Sequence, residues 1–540
     1  MKLRMKNNER YPMPTNPLLK SQNTFDNAVN FENITPKLLL EAQKILQDQA
    51  LTQVEKIVNN PEPASFANTI IALEHVLNTP SLAYSVFGNL SSSCHSHEID
   101  EIAPEFLKSA SQFNSSIYLH GGLFKRIKQV HDSATSGLDQ QDLRLMTNFY
   151  NAFVRNGALL SQSDQEKIRT IDHETSEIYN SFSKHVLKST NETLLFAESE
   201  SEVKGIPNKI LTNAKKLAES NGFPQKWAFN LQPPVVMQIL EHGCDRILRE
   251  KIFKFYNSRC TAGEYYNFDL IEKLTRLRAE RAQILGFENH AAYVTEDRMA
   301  RNPQTVFAFL KKLEDAYVPS AKKDFELISS YAKADGIDQL EAWDFPFYAE
   351  RLTEEKYSLN DEEIRQYFPV EKCMDGIFHL GKKLYGVEFH RRNDIPTYHP
   401  TVQVYQVIDA KDESYVGLLY VDLFSRNEKR PGAWASSFHS QGLKPDGTSQ
   451  RPHVTMTCNY PPPTSDHPCL LSLDEVRTLF HEFGHCLHML LSNVKYQSLS
   501  GTNVLWDFVE LPSQIMENWV DEKSSLDTFA RHYLTGEPMP

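Results

Sequence analysis

Only seven cysteines occur among 540 residues, and no two of them form a CxxC pair. An odd and sparse set excludes a disulfide framework and points to a reducing compartment. The N-terminal stretch MKLRMKNNERYPMPTNPLLKSQ has early positive charge but no apolar core of about 7 to 15 residues behind it, so secretion is not indicated and the cytoplasm is expected. No apolar run approaches the roughly 20 residues that cross a bilayer, so no membrane partner is expected. Basic charge is also in deficit: 57 Lys and Arg stand against 70 Asp and Glu, a net charge of −13. A phosphate-backbone partner needs clustered cations, so nucleic acid is excluded. No period of about 20 to 50 residues recurs, which excludes a solenoid. Hydrophobic residues at 40% and aromatics at 11% suffice for large packed cores. The composition leaves the oligomeric state open.

Helical periodicity fills most of the chain. The first 35 residues, with Pro12, Pro14 and Pro17, read as an N-terminal arm. From Pro36, apolar residues recur at three- and four-residue spacing as far as the Asn59-Asn60-Pro61 stop. Similar patterns predict helices near 64–77, 143–160, 163–187, 206–222, 233–258, 266–286 and 304–335. Strand patterns come late: VQVYQV at 402–407, YVGLLYVDLF at 415–424 and HVTMTCNY at 453–460, the last alternating like a half-buried strand and stopped by Pro461-Pro462-Pro463. The stretch between Phe424 and His453 reads as loop-rich, suited to the wall of a cleft. The expectation is a mostly α protein: a helical lobe over 36–340, then a region over 341–540 that holds a small β-sheet and the chemistry.

That chemistry centres on His481-Glu482-Phe483-Gly484-His485, an HExxH motif. Residues i and i+4 share one helical face, so both imidazoles can reach one metal ion, and Glu482 lies beside it as a candidate proton acceptor. The flanking Leu479, Phe480, Leu487, Met489 and Leu490 make the helix apolar on most sides, and buried polar groups there need partners. A catalytic zinc takes three protein ligands and leaves a fourth position to water. DFVELPSQIMENW downstream offers Glu510 and Glu517, about two turns apart, and ligand chemistry does not separate them. Asp507 with Glu510 fits an N-terminal capping pattern, with Pro512 near the first turn.

HEFGH, followed 25 residues after its second histidine by Glu510 in FVELPSQ, resembles the thimet-oligopeptidase family of zinc metallopeptidases, and within it the bacterial oligopeptidase A branch. NPLLKSQNTFDNAVNFENITP near the start, RAERAQILGFENHAAYVTEDRMA at 278–300, WDFPFYAERL at 343–352, DLFSRNEKRPGAW at 422–434 and GTNVLWDFVELPSQIMENW at 501–519 carry the resemblance along nearly the whole chain. It implies one zinc per chain on His481, His485 and Glu510, with Glu482 as general base. It implies a two-lobed helical metallopeptidase around a deep channel that admits short peptides, with a small β-sheet beside the HExxH helix. The activity implied is endo-oligopeptidase cleavage of internal peptide bonds. A dipeptidyl carboxypeptidase of the same family is the nearest alternative. Family members continue for on the order of 100 residues past the point matching Pro540, one domain-sized unit more, with a glycine-rich loop whose Tyr and His bind substrate. A truncated catalytic region over 341–540 is therefore expected, with a non-catalytic zinc- and peptide-binding remnant as a further alternative. No residue here can be assigned to substrate binding.

Around the motif, Asp474, Ser513, Gln514 and Glu517 are candidates to orient the histidines, and His488 reads as supporting or structural. The 453–460 strand is a candidate to pair with an extended peptide by edge addition. Cys94-His95-Ser96-His97-Glu98 looks like a ligand cluster, but liganding atoms this close rarely build a tetrahedral site without distant partners. Cys486 reads as a buried apolar residue, and Trp343-Asp344 as a packing element.

Overall fold

The computed structural model describes residues 16–133, 136–357, 361–463 and 468–540. Residues 1–15 of the expected arm lie outside them. Helices dominate, with a small mixed sheet, and the chain folds as two compact units, Leu160–Asn360 and Met1–Leu159 with Asp361–Pro540.

The Leu160–Asn360 unit is helical apart from one antiparallel pair, β1 (Leu195–Ala197) with β2 (Trp227–Phe229). The long periodic patterns become the helices Gln162–Glu192, Phe268–Ile284 and Pro303–Ala334. Leu195, Phe229, Val236, Ile239, Leu248 and Ile252 belong to one of its cores. Beside that core, Trp343-Asp344 does more than fill space. Asp344 is fully buried and takes a fork from Arg246 (Nε 3.0 Å, Nη2 2.7 Å) and a bond from the buried Arg249 (Nη2, 3.0 Å). Burial alone would raise the Asp344 carboxyl, but the two arginines outweigh it and hold it below its ordinary value. The carboxylate ties the helix Arg246–Asn257 to the start of Phe345–Tyr357.

The other unit is built on a five-stranded sheet. Its strands are β3 (Val387–Arg392), β4 (Gln403–Asp409), β5 (Tyr415–Phe424), β6 (Trp434–His439) and β9 (His453–Tyr460), in the order β3-β4-β5-β9-β6. All neighbours are antiparallel except β5 and β9, which run parallel. A separate short pair, β7 (Gly442–Leu443) with β8 (Ser449–Gln450), lies in the connection from β6 to β9. Helices cover both faces of the sheet. On β5, Leu419, Val421 and Leu423 enter one core, while Leu418 and Tyr420 enter another with Leu39, Val86, Phe87 and Phe106 of the N-terminal helices. Continuous burial along β5 follows from that double cover.

Two expectations change here. The 424–453 stretch is not all loop, because Trp434–His439 pairs with β9. And β9 is not a half-buried edge: flanked by β5 and β6, it buries Val454, Met456 and Cys458 on one face and His453, Thr455 and Thr457 on the other. Peptide addition to β9 is therefore blocked, and the edge strand on that side of the sheet is β6. Residues 16–35 form three short turns that bury Leu18, Ala28 and Val29 in the core of the N-terminal helices.

The motif helix, Leu473–Leu490, begins at Ser472 in a reciprocal cap: Ser472 Oγ accepts from the Glu475 N–H (3.2 Å), and Glu475 Oε2 accepts from the Ser472 N–H (2.7 Å). Val476, Leu479, Phe480, Phe483 and Leu487 bury one side in the core shared with β5 and β9. The helix is thus fixed at its start and along its back.

Candidate metal centre

The opposite face of the motif helix presents His481 and His485, one turn apart. Glu510 comes from the helix Leu511–Glu517, which packs directly across the motif helix at Gly484. A Cβ built at Gly484 would lie 2.6 Å from Ser513 Cα and 2.7 Å from the Pro512 carbonyl oxygen, closer than real Cβ atoms approach. Only glycine admits this approach. The glycine at the fourth position of HEFGH is therefore a packing requirement between the two elements that carry the candidate ligands.

Glu510 is the N-cap residue of the short helix, and Pro512 occupies its first turn, where a missing N–H does no harm. The helix starts at Leu511, so Asp507 does not cap it, contrary to the expected capping pattern. Ser513 Oγ donates to Glu510 Oε2 at 2.9 Å and aims the carboxylate. Glu510 Oε2 lies 3.3 Å from His481 Nε2 and 3.1 Å from His485 Nε2. The three ligand atoms lie within 4.8 Å of one another, and no other such group of three occurs among the described residues. Two imidazole nitrogens and one carboxylate oxygen are the donor set of an open zinc site.

Glu517, the other candidate, sits at the far end of the same helix and accepts from His481 Nδ1 at 2.7 Å. One histidine thus meets both glutamates, through different ring nitrogens. Of the other orienting candidates, Gln514 meets Glu510 through its backbone N–H (2.9 Å), and Asp474 lies about two turns before His481 in the first turn of the motif helix.

Glu482 is 6% exposed, and its Oε2 has no hydrogen-bond partner, a state that calls for a proton or a cation nearby. Burial pushes its carboxyl up to about 7, opposed by His481 and reinforced by Glu510. Burial also lowers His485, favouring the neutral imidazole a metal requires, and lowers His488 further along the helix. His485 Nδ1 is buried without a partner. With converging donors, a neutral imidazole and a buried carboxylate lacking a counter-charge, these residues fit a divalent cation.

The Cys94–Glu98 cluster does not converge. Ser96 caps the helix His97–Tyr118, His95 pairs with Asp100 (3.1 Å), and His97 pairs with Glu101 (3.3 Å). Cys486 is fully buried, as expected.

A mostly helical fold with an HExxH helix and a carboxylate leaning over it defines a metallopeptidase-type protein. Residues 239–540 match the model of peptidase family M3. Oligopeptidase A of Escherichia coli is 33% identical over 534 residues, covering 97% of this chain and 78% of that protein. Dipeptidyl carboxypeptidase of Salmonella typhimurium is 32% identical over 536 residues, covering 98% of this chain and 78% of that protein. A probable cytosolic oligopeptidase A of Arabidopsis thaliana is 32% identical over 549 residues, with 98% and 77% covered. The chain belongs to peptidase family M3. No helix among the described residues is long and apolar enough to cross a membrane.

Proposed function

We propose that the protein is a zinc-dependent endo-oligopeptidase of short peptides, with His481, His485 and Glu510 holding one zinc and Glu482 serving as general base. The observation that carries this reading is the approach of Glu510 Oε2 to both histidine Nε2 atoms, at 3.3 and 3.1 Å. A zinc ion bound there supplies Lewis acidity, making a water more acidic and a peptide carbonyl more electrophilic. Glu482, one residue from His481, takes a proton as the water attacks the scissile carbonyl carbon. The same carboxyl returns that proton to the departing amine as the C–N bond breaks. A carboxyl lifted to about 7 suits both steps, since it accepts and releases a proton near neutrality. The edge strand β6, which packs against the motif helix, offers an extended peptide a backbone to pair with.

The relatives support an exo-acting alternative as well, because a dipeptidyl carboxypeptidase matches nearly as closely as oligopeptidase A. Peptides with an amidated C-terminus separate the two: an endopeptidase cleaves them, and a dipeptidyl carboxypeptidase does not. The general-base role is tested by Glu482→Gln, which keeps the shape and loses the basicity. Zinc content is expected to persist while turnover falls by about 10² to 10⁴. A variant with wild-type turnover would remove Glu482 from the mechanism. In keeping with seven unpaired cysteines, the proposed compartment is the cytoplasm.

A further inference from the structure

The ladder that holds β6 is short. Its pairing with β9 ends at Trp434 opposite Thr457 and slips between Ser437 and His439. No strand among the described residues covers its other side, which leaves a row of backbone N–H and C=O groups open to an incoming chain. Two side-chain amides stand where the ladder gives out. Before the start of β6, Asn459 of β9 donates from Nδ2 to the Arg430 carbonyl at 2.8 Å and to the Gly432 carbonyl at 2.7 Å. The Arg430 N–H reaches the Ser92 carbonyl at 2.7 Å, and Pro431 has no N–H to offer. Beyond the far end, Gln441 is 2% exposed and grips one residue twice. It accepts from the Val494 N–H at 2.8 Å and donates from Nε2 to the Val494 carbonyl at 3.0 Å. A strand residue makes the same exchange of bonds with its partner. Val494 follows the end of the motif helix at Leu490 by four residues. Asn459 stands on the strand whose Val454, Met456 and Cys458 share a core with Phe480 and Phe483 of that helix. Both amides therefore tie β6 to the surroundings of the helix that carries His481 and His485. None of the proposed metal or proton chemistry uses either of them.

We propose that Asn459 and Gln441 are positioning residues for peptide binding: they fix β6 at both ends, so that its open edge accepts a peptide backbone without first having to order itself. The inference rests on the peptidase reading above. An edge already held in place contributes affinity, because binding does not have to immobilise it. Backbone bonds to β6 form with the bound peptide and persist through the reaction, so losing them raises KM and leaves kcat.

The test uses the zinc-loaded full chain and the variants Asn459→Ala and Gln441→Met, which remove each amide without adding a charge. Each should raise KM for a quenched-fluorescent peptide by about three- to tenfold, the range of one or two lost hydrogen bonds, with kcat and zinc content unchanged. A second readout does not depend on turnover. On the zinc-loaded Glu482→Gln chain, peptides N-methylated at one backbone nitrogen each are compared by anisotropy with the unmethylated parent. Methylation at a position that pairs with β6 should weaken Kd by about fivefold. Adding Asn459→Ala or Gln441→Met should bring that penalty below about twofold, because a displaced edge no longer forms the bond. A merely structural role would lower the stability of the chain and leave the methylation penalty as it was. If peptide is bound, the proposal alone is overturned by any of three results: a fall in kcat with KM unchanged, no methylation penalty at any position, or a penalty that survives both variants. If the unsubstituted chain neither cleaves nor binds any peptide, the peptidase reading falls and the positioning role with it.

Discussion

His481 donates from Nδ1 to Glu517 at 2.7 Å while its Nε2 faces Glu510. The bond selects the tautomer: with the proton on Nδ1, the Nε2 lone pair is free for a cation, and the ring cannot rotate without losing a charge-assisted bond. Glu510 and Glu517 therefore have separable parts. Alanine at His481, His485 or Glu510 should abolish stoichiometric zinc. Glu517→Ala should retain the site with about 10- to 100-fold weaker affinity. Zinc content after dialysis against graded chelator reads both. If Glu517→Ala loses all zinc and Glu510→Ala keeps it, the two glutamates have been assigned in reverse.

Gly484 gives a second, independent test, because it touches no proposed ligand. A methyl group there meets the backbone at Ser513 and Pro512, not a side chain that could swing away. Gly484→Ala should push the Leu511–Glu517 helix outward and carry Glu510 off the histidines. The expected result is a folded chain, helical by circular dichroism, with zinc affinity reduced at least tenfold. Alanine favours helix over glycine by about 1 kcal/mol, so loss of zinc cannot come from a weakened motif helix. Wild-type affinity would mean that the two helices need not touch.

Much of this site was legible because its information is local. HExxH is a helical spacing, and the 25 residues to Glu510 fall in a recognisable segment. What was not legible depends on pairing across the chain. Nothing in HVTMTCNY tells that β9 is central; that depends on Trp434–His439, a short run inside a stretch rich in Gly, Pro and Ser, which reads as loop until β9 pairs with it. The choice between Glu510 and Glu517 also stayed open at the level of ligand chemistry, since a helix that begins at Leu511 makes one of them its cap and the other its last residue. The helices Ser81–Ser93 and His97–Tyr118 escaped notice because SSSCHSH between them looks like a turn, and Pro104 interrupts the pattern of the second.

The buried Glu482 carboxyl should mark the stability of the metal-free chain. Its folded pKa, about 7, lies above the ordinary value of 4.5, so the folded state keeps the proton after the unfolded chain has released it. Between those values stability falls as pH rises, by about 3 kcal/mol at most. Urea unfolding of the metal-free chain across that window should show the decline, and Glu482→Gln should flatten it. Bound zinc should diminish the decline by favouring the carboxylate. Identical pH profiles for wild type and variant would show that the carboxyl is better solvated than its surroundings indicate.

In the segment DLFSRNEKRPGAW, Asp422, Arg426 and Lys429 turn inward, while Glu428 and Arg430 are exposed. Asp422, fully buried on β5, is gripped by Arg426 (Nη1 2.7 Å, Nη2 2.8 Å) and by the buried Lys429 (Nζ 2.9 Å), which also donates to the Asp422 carbonyl. Burial would raise the carboxyl, but Arg426 and then Lys429 outweigh it and hold it below 3.8. The contribution to stability is therefore present above the unfolded pKa and lost as pH falls through the lower folded value. Asp422→Asn leaves two cations without a counter-charge inside the unit and should destabilise by about 3 to 5 kcal/mol. Lys429→Met should do less harm, because Arg426 still holds both carboxylate oxygens and the aliphatic replacement fills similar space. Urea unfolding at neutral pH ranks the two, and a shallower acid limb is expected for Asp422→Asn. Equal losses from both variants would mean that Lys429, not the Arg426 fork, is the partner that keeps Asp422 charged.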